Sequence, residues 1–211
     1  MTRAVRRPAD AWTAVAAAGA TALAAWAASS GVVGPLEREV FLCVNGWPDA
    51  WRPGLWVFQL LGVLGVPLAL AVVALVLRQW RLALALALLP AIKLVVEKDV
   101  LKALVHRERP GTTIPGAVLR DVPSAGPSFP SGHAIIAFGV VTVLAPYLHR
   151  RWQLLVLALA VLNSVARVYL GAHAPLDVVG GAAAGITVGA LLNLVVGVPA
   201  APPGRRRRAD G

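Results

Sequence analysis

Cysteine is almost absent from this sequence, and charged side chains are scarce. The single cysteine, Cys43, excludes an intramolecular disulfide, and no set of cysteines and histidines has the spacing of a zinc site. Charged residues make up 14% of the chain and hydrophobic residues 58%, against about 25% and about 45–50% in soluble domains. This composition excludes an ordinary soluble domain, predicts a single membrane domain and gives no reason to expect a metal or another cofactor.

Acidic residues are also few, with 10 aspartates and glutamates against 20 lysines and arginines, so that the formal net charge is +10. Such an excess can indicate nucleic-acid binding, but here many of the basic residues are concentrated at the two ends of the chain. These are Arg3, Arg6, Arg7 and Arg205 to Arg208. Basic clusters that flank apolar segments are typical of membrane topology signals and of attraction to anionic lipid. We therefore predict the bilayer, and not a nucleic acid, as their partner.

Six apolar stretches have lengths near the roughly 20 residues that a helix needs to cross a bilayer. They are Ala11–Val33, Gly54–Leu77, Leu82–Leu104, His133–Leu148, Leu154–Leu170 and Pro175–Val198. The first is too long for the core of a secretory signal and is interpreted as a span. The sequence therefore predicts an all-α, six-span transmembrane helical bundle. Its membrane-embedded domain covers residues 11–198, between a basic N-terminal segment (1–10) and a disordered basic tail (199–211).

The distribution of arginines predicts how this bundle is oriented. With the N-terminus in the cytoplasm, most arginines of the connecting segments lie on the cytoplasmic side, as the positive-inside rule requires. Six spans then place both termini in the cytoplasm of a multi-pass cell-membrane protein, and the loop between the third and fourth spans faces the extracytoplasmic side. The segment from Val32 to Arg52, with Glu37, Arg38, Trp47 and Trp51, is typical of a short interfacial helix.

Three polar segments do not fit the membrane pattern, and this topology places them at the outer ends of the last four spans. They are "KALVHRERP" (Lys102–Pro110), "PSGH" (Pro130–His133) and "ARVYLGAHAPLD" (Ala166–Asp177). Three cations, Lys102, Arg109 and Arg167, therefore meet near one depth, where unpaired charges are costly. Because the neighbouring acids cannot neutralise all of them, the set predicts an anionic ligand. Arginine and lysine side chains suit a phosphate group.

Five residues beside these cations predict a reaction at phosphorus. Ser131 and Gly132 stand where the fourth helix begins, and the free N–H groups of a helix N-terminus bind anions. His173 lies four residues before Asp177, a carboxylate that would orient the imidazole and stabilise its cation. His173 is thus a candidate nucleophile, and His133 is a candidate general acid for the leaving oxygen. The three cations offset the charge of the phosphoryl oxygens, so that no metal is required.

The same residues resemble the signature of the type 2 phosphatidic acid phosphatase superfamily, which includes membrane lipid phosphatases and soluble vanadium haloperoxidases. The signature has three parts: K-x6-R-P, P-S-G-H and S-R-x5-H-x3-D. They stand here as Lys102 with Arg109–Pro110, as Pro130–Ser131–Gly132–His133, and as Arg167 with His173 and Asp177. Ala166 replaces the signature serine, which removes one hydroxyl group. The resemblance covers roughly residues 47–197, and the six predicted spans fit the membrane branch.

This resemblance implies an integral-membrane lipid phosphatase that works through a phosphohistidine at His173, with His133 as the acid. The residues that would hold the phosphate are Lys102, Arg109, Ser131, Gly132 and Arg167. The family's substrates imply a lipid phosphate, with undecaprenyl diphosphate as the leading expectation and phosphatidic acid or phosphatidylglycerol phosphate as alternatives. A lipid phosphotransferase and a non-catalytic lipid-binding protein also remain open. Nothing in the sequence indicates an oligomeric state.

Charged residues outside the signature receive structural interpretations. Lys93 and Glu97, four residues apart within the third span, predict an ion pair that lets both stay buried. Arg107 has no role in the signature. Arg120 and Asp121 are interpreted as parts of a solvated loop.

Overall fold

The computed structural model describes residues 4–200 and is predominantly helical. The first six helices are α1 (Pro8–Ala28), α2 (Pro35–Asn45), α3 (Arg52–Gln59), α4 (Gly65–Val76), α5 (Trp80–Leu94) and α6 (Lys102–Leu104, which continues α5 through a π-helical segment, Val95–Leu101). The remaining helices are α7 (Pro110–Thr113), α8 (Gly132–Leu144), α9 (Arg150–Tyr169) and α10 (Pro175–Val196). Two short strands, β1 (Ala4–Val5) and β2 (Val198–Pro199), pair antiparallel. Arg3 and the predicted tail beyond residue 200 lie outside the described residues.

Each of the six predicted apolar stretches coincides with a helical segment. Helices α1, α9 and α10 are by themselves long and apolar enough to cross a membrane. The segment Asp49–Gly62 together with α4 forms a pair bent by 62°, which would raise the number of candidate spans to four. Helix α8 with the following turn is apolar but shorter. The short helix predicted between the first two spans is α2, which begins at Pro35.

Helix α10 packs closely against α8 because glycines on one of its faces remove the side chains that would separate the two backbones. Gly181, Gly185 and Gly189 recur every four residues and therefore share a face. A Cβ added to Gly185 would lie 3.0 Å from the backbone nitrogen of Gly139 on α8 and would clash with the Ile135 carbonyl oxygen. This close approach fixes the N-terminal ends of α8 and α10 beside each other.

We expect Gly185→Ala to lower the thermal stability of the detergent-solubilised protein. The added methyl group must push α8 and α10 apart, and overpacking of this kind costs about 1–3 kcal/mol. Gly19→Ala on α1 is the matched control, because a Cβ there meets nothing within 4 Å. That control is expected to unfold at the wild-type temperature or slightly above it. Equal stability of Gly185→Ala and wild type would contradict the close packing of these helices.

The two ends of the described chain meet at one end of the bundle. Ala4 pairs with Pro199, and Val5 pairs with Val198. Arg81, at the start of α5, donates a hydrogen bond of 2.8 Å to the Val196 carbonyl in the same region. Since α10 has 22 residues, it is ~33 Å long. Its other end, where Pro175 begins the helix, therefore lies at the opposite end of the bundle.

Candidate active site

The predicted site residues gather at the end of the bundle where α8 and α10 begin and α9 ends. Pro175 is the first residue of α10, whereas Pro130 lies just before Ser131, the N-cap residue of α8. Proline suits the first turn of a helix because its nitrogen has no hydrogen atom to leave unpaired. The backbone N–H of Ser131 donates a hydrogen bond of 2.9 Å to the Asp177 carbonyl oxygen. This bond joins the PSGH segment directly to the first turn of α10.

Asp177 is fully buried, and its carboxylate is held by several donors. Its Oδ2 accepts hydrogen bonds from the Ala174 backbone N–H at 2.8 Å and from the Ser128 hydroxyl at 2.5 Å. Its Oδ1 accepts one from Arg107 at 3.1 Å. The Nδ1 atom of His173 lies 3.8 Å from Oδ2, which is beyond hydrogen-bond distance but within ion-pair range. The carboxylate is thus fixed in place with the imidazole beside it.

His173 lies in the short connection between α9 and α10 and is 3% exposed. Burial lowers the pKa of His173 from 6.5 to about 4; the nearby Asp177 carboxylate opposes this, while the cations Arg167 and Arg109 add to it. A histidine with this pKa is neutral at physiological pH, so that the ring nitrogen without a hydrogen atom carries a free lone pair. A buried, neutral imidazole beside a carboxylate has the properties that the predicted nucleophile requires.

Two of the three predicted cations are brought to this imidazole by contacts with the backbone and with α3. Arg109 donates a hydrogen bond of 2.9 Å to the Ala172 carbonyl, one residue before His173. Arg167, on the last turn of α9, is buried and hydrogen-bonded to the Gln59 side chain. Burial lowers the pKa of Arg109, and the carboxylates of nearby acids counteract that shift. An arginine remains charged in proteins, so both groups face the site as cations.

The third cation, Lys102, is held by Glu97, which also contacts Lys93. The Lys102 ammonium lies 2.6 Å from Glu97 Oε1, and Lys93 is paired with Oε2 of the same carboxylate. The predicted Lys93–Glu97 ion pair is therefore present, and Lys102 adds a second cation to it. Glu97 lies in the π-helical segment, and a Cβ on Gly132 would stand 2.7 Å from its Oε1 atom. Through Glu97, Lys102 is next to the start of α8.

His133 stands in the first turn of α8, opposite the bend between α3 and α4. A Cβ on Gly62, in that bend, would lie 2.6 Å from the His133 Cβ. The bend is tied to α9 because the Asn163 side chain donates hydrogen bonds of 3.1 and 2.9 Å to the carbonyls of Phe58 and Gln59. Ser131, two residues before His133, is hydrogen-bonded to the Asp177 carbonyl oxygen, so that His133 belongs to the same helix start as the predicted phosphate-binding residues.

Several polar atoms around this cluster have no hydrogen-bond partner within the part of the chain that the structure describes. They include Ser131 Oγ and Arg167 Nε, both of which are buried; His173 Nδ1 also lacks a hydrogen-bond partner, but it faces the Asp177 carboxylate. Buried donors without partners are costly, and their concentration at one place points to a ligand. A hydroxyl, a guanidinium group and the N-terminus of a helix together suit a phosphate. Within residues 4–200, no group of three or more His, Cys, Asp or Glu side chains is arranged to hold a metal ion.

The sequence did not identify three further residues around Asp177: Arg107, Ser128 and Glu37. Arg107 is 1% exposed and forms ion pairs with Asp177 and with Glu37 of α2. The Ser128 backbone N–H donates a hydrogen bond of 2.7 Å to the Arg107 carbonyl, which holds the two loop segments together. Arg107 and Glu37 are 70 positions apart, so no local pattern could have paired them. The charge of Arg107 beside the signature was the one available signal.

The interpretation of Arg120 as part of a solvated loop is wrong. Its side chain is 7% exposed, lies over the Tyr169 ring at 4.1 Å and bonds to the Asn45 and Tyr169 carbonyls at 2.9 and 2.8 Å. Asn45 donates a further bond of 2.8 Å to the Tyr169 carbonyl. Together these contacts attach α2 to the end of α9, directly before the connection that carries His173. Asp121, in contrast, is exposed as predicted.

A family profile and the sequences of known proteins match this chain, and these matches agree with one another. A family profile described as the PAP2 superfamily matches residues 78–198, which is more than half of the chain. A protein of Escherichia coli (strain K12), YbjG, which is provisionally named an undecaprenyl-diphosphatase, is 32% identical over 157 residues, 72% of this chain and 78% of that protein. The lipid A 4'-phosphatase of Bacteroides thetaiotaomicron is 31% identical over 137 residues, 58% of this chain and 60% of that protein.

A solved structure shares the fold. The crystal structure of the first transmembrane PAP2 type phosphatidylglycerolphosphate phosphatase from Bacillus subtilis matches with a TM-score of 0.71 at 24% sequence identity. The match covers 86% of this chain and 94% of that one. The arrangement of helices that carries the clustered residues is therefore shared with a membrane protein of known structure.

Proposed function

Since this chain belongs to the PAP2 superfamily, we propose that it is an integral-membrane phosphatase that hydrolyses undecaprenyl diphosphate through a phosphohistidine intermediate. The observation that carries the proposal is the meeting of His173 and Asp177 with the N-terminus of α8 beside two arginines. This arrangement provides a nucleophile, a residue that orients it and a site for the phosphoryl oxygens. A protein that only bound lipid would need the cations but neither the buried His173–Asp177 pair nor His133.

In the first step, the free ring nitrogen of His173 donates its lone pair to phosphorus. The bond between phosphorus and the leaving oxygen breaks, and His133 gives a proton to that oxygen as general acid. Asp177 stabilises the positive charge that develops on the imidazole. With undecaprenyl diphosphate, the leaving group is undecaprenyl phosphate.

In the second step, water attacks the phosphorus atom of the phosphohistidine. The phosphorus–nitrogen bond breaks, His133 accepts a proton from the water, and inorganic phosphate leaves. Arg109, Arg167, Lys102 and the N–H groups at Gly132 offset the charge on the phosphoryl oxygens in both steps. Lys102 is bound to Glu97, so phosphate would share the ammonium group with this carboxylate. These groups supply the charge stabilisation that a metal ion provides in other phosphatases.

We assign the site to the extracytoplasmic face and both termini to the cytoplasm, with six helical segments crossing the membrane. The pairing of β1 with β2 supports this assignment, because it places the two chain ends together, away from the start of α10. An even number of crossings is required for that arrangement. Arg78 and Arg81 lie beside the chain ends, and His149–Arg151 follow the turn Ala145–Tyr147, which contacts β2, as the positive-inside rule predicts.

The choice of undecaprenyl diphosphate is supported by YbjG, which has this activity in its name and aligns with 72% of this chain. Phosphatidylglycerol phosphate is the alternative that the Bacillus subtilis structure supports, because that protein is described as a phosphatidylglycerolphosphate phosphatase. The lipid A 4'-phosphatase aligns over a smaller share, 58% of this chain. All three compounds present a phosphate to a membrane surface, and the site has to distinguish what the phosphate is attached to.

The proposal is tested by phosphate release from the purified protein in detergent, with EDTA present. Undecaprenyl diphosphate, phosphatidic acid and phosphatidylglycerol phosphate are supplied in parallel at equal concentration. We expect the highest kcat/KM for undecaprenyl diphosphate and no loss of activity on chelation. Faster release from phosphatidylglycerol phosphate would replace the proposed substrate, and loss of activity in EDTA that added Mg²⁺ restores would overturn the metal-free mechanism. Phosphate that appears on an added alcohol instead of in solution would favour a phosphotransferase.

A further inference from the structure

A chain of buried charges runs from helix α2 to the imidazole of His173. Arg107 occupies its centre: one nitrogen of its guanidinium group lies 3.1 Å from Asp177 Oδ1, and another is paired with Glu37 Oε2. Neither the Arg107 nor the Asp177 side chain has any solvent exposure. Glu37 is 16% exposed. A buried ion pair of this kind leaves an uncompensated charge when one member is removed.

Glu37 is also attached to the first turn of α10. Its Oε1 atom accepts a hydrogen bond of 2.8 Å from the Leu176 backbone N–H. This N–H is one of the groups that a helix leaves unpaired at its N-terminus. The Glu37 carboxylate on α2 therefore contacts both Arg107, the ion-pair partner of Asp177, and Leu176, the residue directly before Asp177. Helix α2 is thereby coupled to the segment that carries the nucleophile.

We propose that Arg107 and Glu37 are positioning residues that set the proton affinity of His173 through Asp177. The inference rests on the proposed function, in which neutral His173 attacks phosphorus. Arg107 draws negative charge away from the Asp177 carboxylate, which weakens the hold of that carboxylate on a proton at His173. Glu37 partly neutralises Arg107 and moderates this effect. The two residues therefore act on the imidazole in opposite directions.

Other charged groups also face His173, and their contributions stay constant when the Arg107–Glu37 pair is changed. They are Asp177 on α10, Arg167 on α9, Arg109 on the loop before α7 and His133 on α8. Burial together with these cations already lowers the pKa of His173 to about 4. Loss of the positive charge at Arg107 should raise the pKa of His173. Loss of the negative charge at Glu37 should lower it.

The first test compares the pH dependence of kcat/KM for wild type, Arg107→Gln, Arg107→Lys and Glu37→Gln. Protonated His173 cannot attack, so activity falls as the pH drops through its pKa in the free enzyme. We expect the acid limb to move upward by about one pH unit in Arg107→Gln. It should return toward the wild-type position in Arg107→Lys and lie at or below that position in Glu37→Gln. Glu39→Gln, an exposed glutamate on the same helix, is the matched control with an unchanged profile.

The second test does not depend on activity. The pKa of His173 is read from the NMR shifts of ¹³C-labelled histidine in the detergent-solubilised protein, with the signal assigned by its loss in His173→Gln. We expect the same opposite displacements for the Arg107 and Glu37 variants. An inactive wild type with displaced pKa values would refute the phosphatase proposal and preserve this inference. An active wild type whose Arg107→Gln and Glu37→Gln variants lose activity equally at every pH, with an undisplaced His173 pKa, would reduce both residues to structural roles.

Discussion

We expect His173→Gln to lower the rate of phosphate release from undecaprenyl diphosphate by a factor of about 10³ or more, because under the proposed mechanism it removes the atom that forms the bond to phosphorus. Glutamine retains most of the volume of this buried side chain, so the fold is expected to persist. The measurement is steady-state phosphate release, with thermal unfolding as a check on folding. His149→Gln is the matched control and should be fully active, since His149 is exposed and follows a turn that contacts β2, at the opposite end of the bundle.

The same variant also separates covalent from direct hydrolysis. Wild-type protein mixed with substrate labelled on the terminal phosphate and quenched in alkali should carry the label, because phosphohistidine survives alkali and is lost in acid. His173→Gln should carry none. A labelled variant, or an unlabelled wild type that nevertheless turns over in a rapid quench, would rule out His173 as the nucleophile and would favour direct attack by water.

His133→Ala should lose about 10²–10⁴-fold in the hydrolysis of lipid phosphates, because a poor leaving group departs only when its oxygen is protonated. The expected signature is a dependence on the leaving group. A substrate such as p-nitrophenyl phosphate, whose leaving oxygen needs no proton, should lose much less activity with this variant. The measurement is the ratio of kcat/KM values for the lipid and the aryl phosphate, in wild type and variant.

The control for this experiment is His173→Gln, for which the two substrates should lose activity to the same extent. A nucleophile is needed whatever the leaving group is. If His133→Ala reduced both substrates equally, His133 would be a phosphate-binding residue, and the role of the acid would have to be given to another group. The position of His133 in the first turn of α8 suits either role, which makes the leaving-group test decisive.

The elements of the bundle were predictable from the sequence because their signal is local. A stretch of about 20 apolar residues has few alternatives to a helix in a membrane, and proline marks two helix starts at Pro35 and Pro175. The positions of the signature residues were predictable for the same reason. Spacing places His173 and Asp177 next to each other, since they lie on either side of the first residues of α10. The packing of α8 against α10 then brings the PSGH segment beside this pair.

The parts that were not predictable depend on contacts between distant segments. Glu37 and Arg107 are 70 residues apart, and Gln59 and Arg167 are 108 apart. In the sequence, each of these four residues is a single polar residue near an apolar stretch. That pattern is typical of a residue that anchors a helix at the membrane interface. Arg120 was misinterpreted for this reason, because its partners are mainly backbone carbonyls that any residue could supply. The bend at Gly62 has no proline at its centre, so the residues around it have the pattern of one straight span.

The π-helical segment was also beyond sequence reasoning. Lys93 and Glu97 have the four-residue spacing of an α-helical pair, and they form that pair. The wider turn of Val95–Leu101 additionally lets Glu97 reach Lys102, five residues further along. Such turns are frequent at functional sites. Their presence is determined by what the side chains bind in three dimensions rather than by any residue preference.

The pairing of β1 with β2 means that the order of the helices along the chain can be separated from their order in space. A short linker from Pro199 to Ala4 would close the polypeptide into a ring, because these residues are partners in the strand pair. The ring could be opened again at Gln79, between α4 and α5, close to the same strands. Every signature residue follows that point, so a circularly permuted protein would keep the reactive segments in their native succession. Helices α1 to α4 would then follow α10 in the chain, and their contacts to the site, from Glu37 to Arg107 and from Gln59 to Arg167, would have to form across the new connection.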